Sequence, residues 1–351
     1  MNDSPSRSII SDFQDYLCNE TSLSGYEKTF FEIVSDREYI GNDTINFPFP
    51  LTRTKMMYEK HYWNQVCPNV KLYEFIVSDG RTQRCCWRVL IGSSNDGVLI
   101  GTKEIPIYEP VFSKSSSKGF KRAVSTTIFS ALKHVQMVGS VSTLTFTSIF
   151  PDTDELTDWQ INIHKTGVEC LVKYDIYVDL SRSQEELWSS IRKSYKPLIN
   201  RGKKLWSIEI IDQPEVEKML DFRKLHANEA GRITRSESTW RTQLEMIRQG
   251  NAFMIQTRTL DGELIGCALF AHSNYEAIYF SAAYRRELFN LPIAHVIQWN
   301  AICELKRRGI SWYNLGEYYF PQGNNFSQKE ENISFFKSGF STNLHKRFIY
   351  R

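Results

Sequence analysis

Residues 252–283, AFMIQTRTLDGELIGCALFAHSNYEAIYFSAA, and residues 292–315, PIAHVIQWNAICELKRRGISWYNL, decide the fold. The first run holds three β-forming stretches, Ala252–Arg258, Leu264–Ala271 and Glu276–Ala283. Turn signals at Asp261-Gly262 and Ser273-Asn274 divide them, which predicts an antiparallel meander. Pro292 suits the first helical position, apolar spacing carries a helix to Arg308, and Gly309 lies just beyond its end. Ile310–Leu315 then returns to strand. The product is a mixed, mostly antiparallel sheet crossed by a helix, an α/β (α+β) unit.

The same order of parts precedes it. Leu51–Trp63 reads as a helix, and Val70–Val77 and Arg84–Ile91 as strands about Asp79-Gly80. Asn95-Asp96-Gly97 turns the chain into a third strand, Val98–Ile107. Phe120–Met137 is a long amphipathic helix with Gly139 just past its end, and Val141–Ile149 alternates as a strand. Two copies of one fold are therefore expected, with a loose tail over residues 1–25, a first domain over 26–177 and a second over 178–351. The hinge is expected near Asp175–Asp179. Between hinge and second meander, Glu185–Leu205 reads as one helix kinked at Pro197, followed by helices over Glu215–Asn228 and Glu237–Arg248.

With 351 residues, 41% of them hydrophobic, the chain is long enough for two cores, which excludes a disordered chain, a collagen-like fibre and a disulfide mini-protein. A formal net charge of +3 supplies no global field, so any binding to phosphate needs a local patch. Neither a secretory leader nor an apolar run of the roughly 20 residues a membrane span needs is visible. The seven cysteines are odd in number, Cys85-Cys86 is a vicinal pair, and no companion spacing marks a zinc site. A reduced cytoplasm and no metal are the expectations.

Beyond the pattern, a chain of segments resembles the FemAB-type peptidyltransferases and related acyltransferases built from two N-acetyltransferase-like (GNAT) domains. The segments are Val178-Asp179-Leu180-Ser181, Glu186-Leu187-Trp188, Trp240, Asp261–Ile265, Tyr279, Pro292, His295, Gln298-Trp299, Gly309, Tyr313–Glu317 and Phe335–Phe340. The resemblance covers about 160 residues of the second half, and the first half joins it by architecture. It implies two tandem GNAT-like domains, with the acceptor on the first and the donor on the second. It also implies acyl transfer to an amine of an amino sugar or a cell-envelope polysaccharide precursor. The donor is acyl-CoA or, in the alternative, aminoacyl-tRNA; a scaffold that has lost its chemistry and only binds is the third reading.

Acyl transfer needs a base for the amine proton and a donor for the oxyanion, but no covalent intermediate. That suits a sequence without a G-x-S-x-G elbow. Glu317, at the end of the last strand and the start of the polar stretch Tyr318–Asn325, is the expected base. Lys337, which the resemblance turns toward the donor, is the expected oxyanion partner. His295, Tyr279 and Tyr318, with Tyr108 and Glu109 from the first half, are expected to bind substrate. Simple GNAT enzymes cradle the coenzyme A pyrophosphate on a glycine-containing loop at the start of the crossing helix. Here that loop, Arg285–Leu291, has no glycine, so Arg285, Arg286 and Asn290 are the residues expected to meet phosphate. Six cations, Arg192, Lys193, Lys196, Arg201, Lys203 and Lys204, read as one helix face, either solvated or facing a phosphate-rich partner such as tRNA.

Overall fold

The computed structural model describes residues 5–33, 48–64, 69–94, 97–102, 105–138, 144–148, 155–320 and 326–351. The chain divides into two units, Met1–Val172 with Arg347–Arg351, and Lys173–Lys346. The division falls just ahead of the expected hinge, and the last five residues belong to the first unit.

From Pro5 the expected loose tail is instead a helix, α1 (Pro5–Asn19). Ile9, Ile10, Phe13, Tyr16 and Leu17 recur at helical spacing and pack on the first core, with Phe13 and Leu17 fully covered. This stripe is thin among serines and aspartates, which is why composition hides it. Next come β1 (Glu27–Ile33), α2 (Arg53–Trp63), β2 (Lys71–Asp79), β3 (Thr82–Ser94) and β4 (Gly97–Ile100), with the four strands antiparallel in that order. The single strand expected over Val98–Ile107 is two, because β4 stops at Ile100 and β5 (Ile107–Tyr108) follows Pro106, which has no N–H for a ladder. β6 (Val111–Phe112) pairs with β3. Helix α3 (Lys118–Val138) then leads to β7 (Phe146–Thr147), parallel to β5, and to α4 (Asp158–His164), which opens on a Thr157/Gln160 capping box. Asn95-Asp96 of the expected turn, Gly139, and residues 141–143 and 149 of the expected strand lie outside the described residues. Phe75, Trp87, Ile128, Leu132 and Trp159 are at the centre of this core.

β8 (Cys170–Asp179) leads the chain into the second unit. There follow α5 (Gln184–Ser190), α6 (Tyr195–Leu205), β9 (Ser207–Ile211), α7 (Val216–Ala230) and α8 (Glu237–Arg248). The expected meander is β10 (Ala252–Arg258), β11 (Leu264–His272) and β12 (Glu276–Tyr284); α9 (Ile293–Arg307), β13 (Trp312–Glu317), α10 (Gln328–Lys337) and β14 (Asn343–Tyr350) complete the chain. Sheet order in this unit is β8-β13-β12-β11-β10-β9, parallel between β12 and β13 and antiparallel elsewhere. Phe253, Ile255, Phe270, Ile297 and Tyr313 fill its core. The end of β14 pairs with β7, Ile349 opposite Thr147 and Tyr350 opposite Phe146, which is why the C-terminus counts with the first unit.

The helix expected as continuous and kinked at Pro197 is two helices, and the break comes earlier. Ile191 adopts extended geometry (φ −65°, ψ 140°) after α5, and Pro197 sits in the first turn of α6, where its missing N–H is not needed.

Candidate active site

Strands β12 and β13 run parallel, but their ladder holds only Glu276, Ala277 and Ile278 against Trp312, Tyr313 and Asn314. Past those pairs the strand partner of β13 among the described residues is β8, through a bulge between Asn314 and Gly316. Such a bulge bends and re-aims a strand end. The Asn314 side-chain oxygen accepts the Gly316 N–H at 2.6 Å, and Gly316 takes φ +100°, a conformation that side-chain-bearing residues rarely adopt.

That conformation brings the two expected catalytic side chains together. A Cβ on Gly316 would lie 2.6 Å from Lys337 Nζ, so the bare Cα is what lets the ammonium reach the strand end. Lys337 comes from the last turn of α10, which starts on a Ser327/Glu330 capping box and is tied to the strand by the Tyr319 N–H donating to Ser334 Oγ at 2.9 Å. Behind it, Gly339 lies against Tyr195 so closely that a Cβ would be 2.1 Å from the ring. Burial lowers the Lys337 pKa, and the Asp175 and Glu317 carboxylates oppose that shift. Glu317 has a side chain 15% exposed, and Lys173 Nζ donates to both its oxygens at 2.8 and 3.0 Å. Asp175, 6% exposed, stands directly opposite Glu317 in the β8–β13 register. Two carboxylates and two ammonium groups thus surround the end of β13. Asp175 and Lys173 were missed from sequence, because only the strand register brings β8 to this place. The one local signal was an acidic residue inside a β-forming run.

The other expected residues are distributed differently. His295 on α9 is enclosed by aromatic rings, with centroids 4.5 Å from Tyr195 and 5.0 Å from Phe336. Burial, with the Arg192 charge adding to it, lowers its pKa to about 4, so the ring is neutral at pH 7. Tyr279 gives its hydroxyl to a 2.7 Å hydrogen bond with Tyr284, and burial pushes its pKa up to about 12. Tyr318 follows Glu317, with its N–H on the Tyr174 carbonyl at 2.7 Å. Residues 321–325 of the expected polar stretch lie outside the described residues. Tyr108 and Glu109 belong to the first unit, where the Tyr108 carbonyl accepts the Trp87 indole N–H at 2.8 Å and Glu109 accepts the Thr157 hydroxyl at 3.0 Å.

At the loop before α9, Arg285 is ion-paired with Glu263 and Glu287, and the Arg286 N–H donates to Glu229 Oε2 at 3.0 Å. Asn290 is exposed. The six cations do not form one helix face. Arg192 and Lys193 precede α6, and Arg192 turns inward to bond the Tyr195 hydroxyl, the Phe335 carbonyl and Ser338 Oγ. Lys196 reaches the Ser189 carbonyl at 3.2 Å, while Lys193, Arg201, Lys203 and Lys204 are exposed. Among the described residues no three His, Cys, Asp or Glu side chains are grouped to hold a metal ion, and no helix is long and apolar enough to cross a membrane.

Residues 189–325 match the family model described as an acetyltransferase (GNAT) domain. No curated protein matches the sequence. Among solved structures, a crystal structure of FemX is 11% identical, covering 87% of this chain and 92% of its own, with a TM-score of 0.61. The C-terminal domain of a putative lysylphosphatidylglycerol synthetase from Agrobacterium fabrum is 14% identical over 76% of this chain and 80% of its own, TM-score 0.52. L-PGS from Bacillus licheniformis is 12% identical over 76% and 81%, TM-score 0.51. At these identities the structures speak for the fold, and FemX shares it across most of both chains. The GNAT model thus matches most of the second unit, and the chain as a whole shares the fold of FemX.

Proposed function

We propose that the protein moves an acyl group, acetyl or similar, from acyl-CoA onto an amine of an amino sugar or cell-envelope polysaccharide precursor in the cytoplasm, without a covalent enzyme intermediate. The observation that carries the reading is the meeting of Lys337 with Glu317 and Asp175 over Gly316. In the proposed reaction the amine nitrogen attacks the carbonyl carbon, and Glu317 takes the proton it sheds, directly or through a water. Lys337 donates to the carbonyl oxygen as it becomes an oxyanion, a contribution whose loss costs about 10²–10³ in kcat in comparable sites. Collapse then expels the thiolate, which takes up a proton. Asp175 and Lys173 hold the two reacting side chains in position.

One observation favours a second donor, aminoacyl-tRNA, in which a ribose oxygen is the leaving group. The loop before α9, where a coenzyme A pyrophosphate would sit, already binds the Glu229 carboxylate at the Arg286 N–H, and Arg285 is engaged by two glutamates. An anion arriving there has to displace an anion. The exposed cations Lys193, Arg201, Lys203 and Lys204 offer contacts to RNA phosphates. Thermal unfolding with acetyl-CoA, at two salt concentrations, separates the donors: selective binding to the folded form raises the midpoint saturably. A rise supports acyl-CoA. No shift with acetyl-CoA or free CoA, together with salt-sensitive binding of charged tRNA, supports the second reading.

A further inference from the structure

A cavity of about 340 Å³ opens beside the proposed transfer residues, lined by Ser190, Arg192, Tyr318, Ser338, Thr342 and Leu344. Two of its walls are immediate chain neighbours of that pair, since Tyr318 follows Glu317 and Ser338 follows Lys337. A ligand group held here lies against the residues that follow Glu317 and Lys337 in the chain.

Among the described residues Arg192 is the only cation in the lining. Its guanidinium donates to the Tyr195 hydroxyl at 3.0 Å, the Phe335 carbonyl at 3.2 Å and Ser338 Oγ at 3.1 Å, and it lies 4.0 Å from the centroid of the Phe335 ring. Every one of these partners is neutral, and among the described residues no carboxylate pairs with it. The planar fork has five N–H donors, of which these bonds use three, so two are left. An arginine fixed in orientation by neutral groups while its charge is uncompensated is preorganised for an oxyanion. Burial, with the Arg192 charge adding to it, keeps neighbouring His295 neutral at pH 7.

We propose that this cavity is an oxyanion subsite in which Arg192, with the Tyr318 and Thr342 hydroxyls beside it, holds a phosphate or carboxylate group carried by a substrate of the transfer reaction. It rests on the proposed transfer only in naming the ligand as part of a substrate. The subsite sets specificity: an acceptor or donor bearing an oxyanion is fixed at Arg192 while its reacting centre meets Lys337.

Calorimetric titration of the full chain at constant ionic strength tests this, with inorganic phosphate in one arm and acetate in the other, so that the arms also distinguish the two sources of oxyanion. Two variants accompany the wild type. Arg192→Gln removes the fork, with circular dichroism and thermal unfolding checking that α10 keeps its seat. Thr342→Glu, at the exposed rim, leaves the bonds of Arg192 intact and sets a carboxylate in the ligand's place. The expected result is saturable binding of at least one anion to wild type, in the millimolar range, weakened about tenfold or more in both folded variants. Absence of saturable binding of either anion to wild type, or unchanged binding by Thr342→Glu, overturns the proposal. Anion binding without acyl transfer removes the transfer reading and keeps the subsite; transfer without anion binding does the reverse.

Discussion

At the scale of single residues, the account places its weight on Lys337 and on the glycine that lets it in. Lys337→Ala is expected to lower kcat by about 10²–10³ with the fold kept, as read by steady-state kinetics and circular dichroism. Gly316→Ala leaves the lysine in the chain but puts a methyl where its ammonium lies, at φ +100°. We expect it to destabilise by about 1–2 kcal/mol and to reduce kcat about tenfold. The lysine also has a stability signature. Its folded pKa lies below the unfolded value of about 10.4, so below the folded pKa the ammonium is a full penalty, which fades as pH rises toward the unfolded value. Lys337→Met should therefore be more stable than wild type at pH 7, with an advantage that shrinks as pH approaches 10.4, measured by urea midpoints. Histidine titration acts at the other end of the scale. His226, His272 and His295 all have folded values lowered to about 4, chiefly by burial, so stability present above pH 6.5 is lost as pH falls toward 4. His295→Phe, which keeps a ring among Tyr195 and Phe336, should lose less stability than wild type between pH 7 and pH 5. Glu317 and Lys337 were legible as candidates because each breaks its local pattern, a carboxylate ending a strand and a lysine inside Phe335–Phe340. Asp175 was not, since its place opposite Glu317 depends on which strand lies beside β13.

Among the elements, α10 has the most to do with the site, because it delivers Lys337 from its last turn. The Ser327 hydroxyl accepts the Glu330 N–H, and the Glu330 carboxylate returns to the Ser327 N–H at 2.8 Å. Ser327→Ala should cost about 1 kcal/mol in chemical unfolding and raise amide exchange in the first turn of α10. By contrast Pro197→Ala in the first turn of α6 is expected to change stability by less than about 1 kcal/mol, because no interior hydrogen bond is restored there. The strands of the second meander, and α8 and α9, were readable to within a residue or two from turn signals and apolar spacing. The break between α5 and α6 was not, because Pro197 draws the eye to a kink while Ile191, an ordinary apolar residue, makes the turn. Nor does one strand's sequence say where its parallel partner stops, so the end of the β12–β13 ladder, on which the site depends, appears only in the register.

For the whole molecule, the repeated order of meander, helix and strand was visible in sequence, and the contribution of the C-terminus to the first unit was not. Tyr350, 1% exposed, pairs with Phe146 and hydrogen-bonds His164 at 3.3 Å, contacts that span some two hundred residues of chain and leave no local trace. Tyr350→Ala should cost about 3 kcal/mol, and hydrogen exchange should rise in α3 and β7 while β11 and α9 stay protected. The composition and charge that left the partners open still do not distinguish the donors; chemistry does. The most direct test of the central claim follows a labelled acyl group from acetyl-CoA, or a labelled aminoacyl group from charged tRNA, to a nucleotide-linked amino sugar, with wild type and Lys337→Ala side by side. The account predicts an amide product from one of the two donors, no label left on the denatured protein, and loss of about a hundredfold or more in rate in the variant. No product from either donor, label retained on the protein, or an unchanged rate in Lys337→Ala contradicts it.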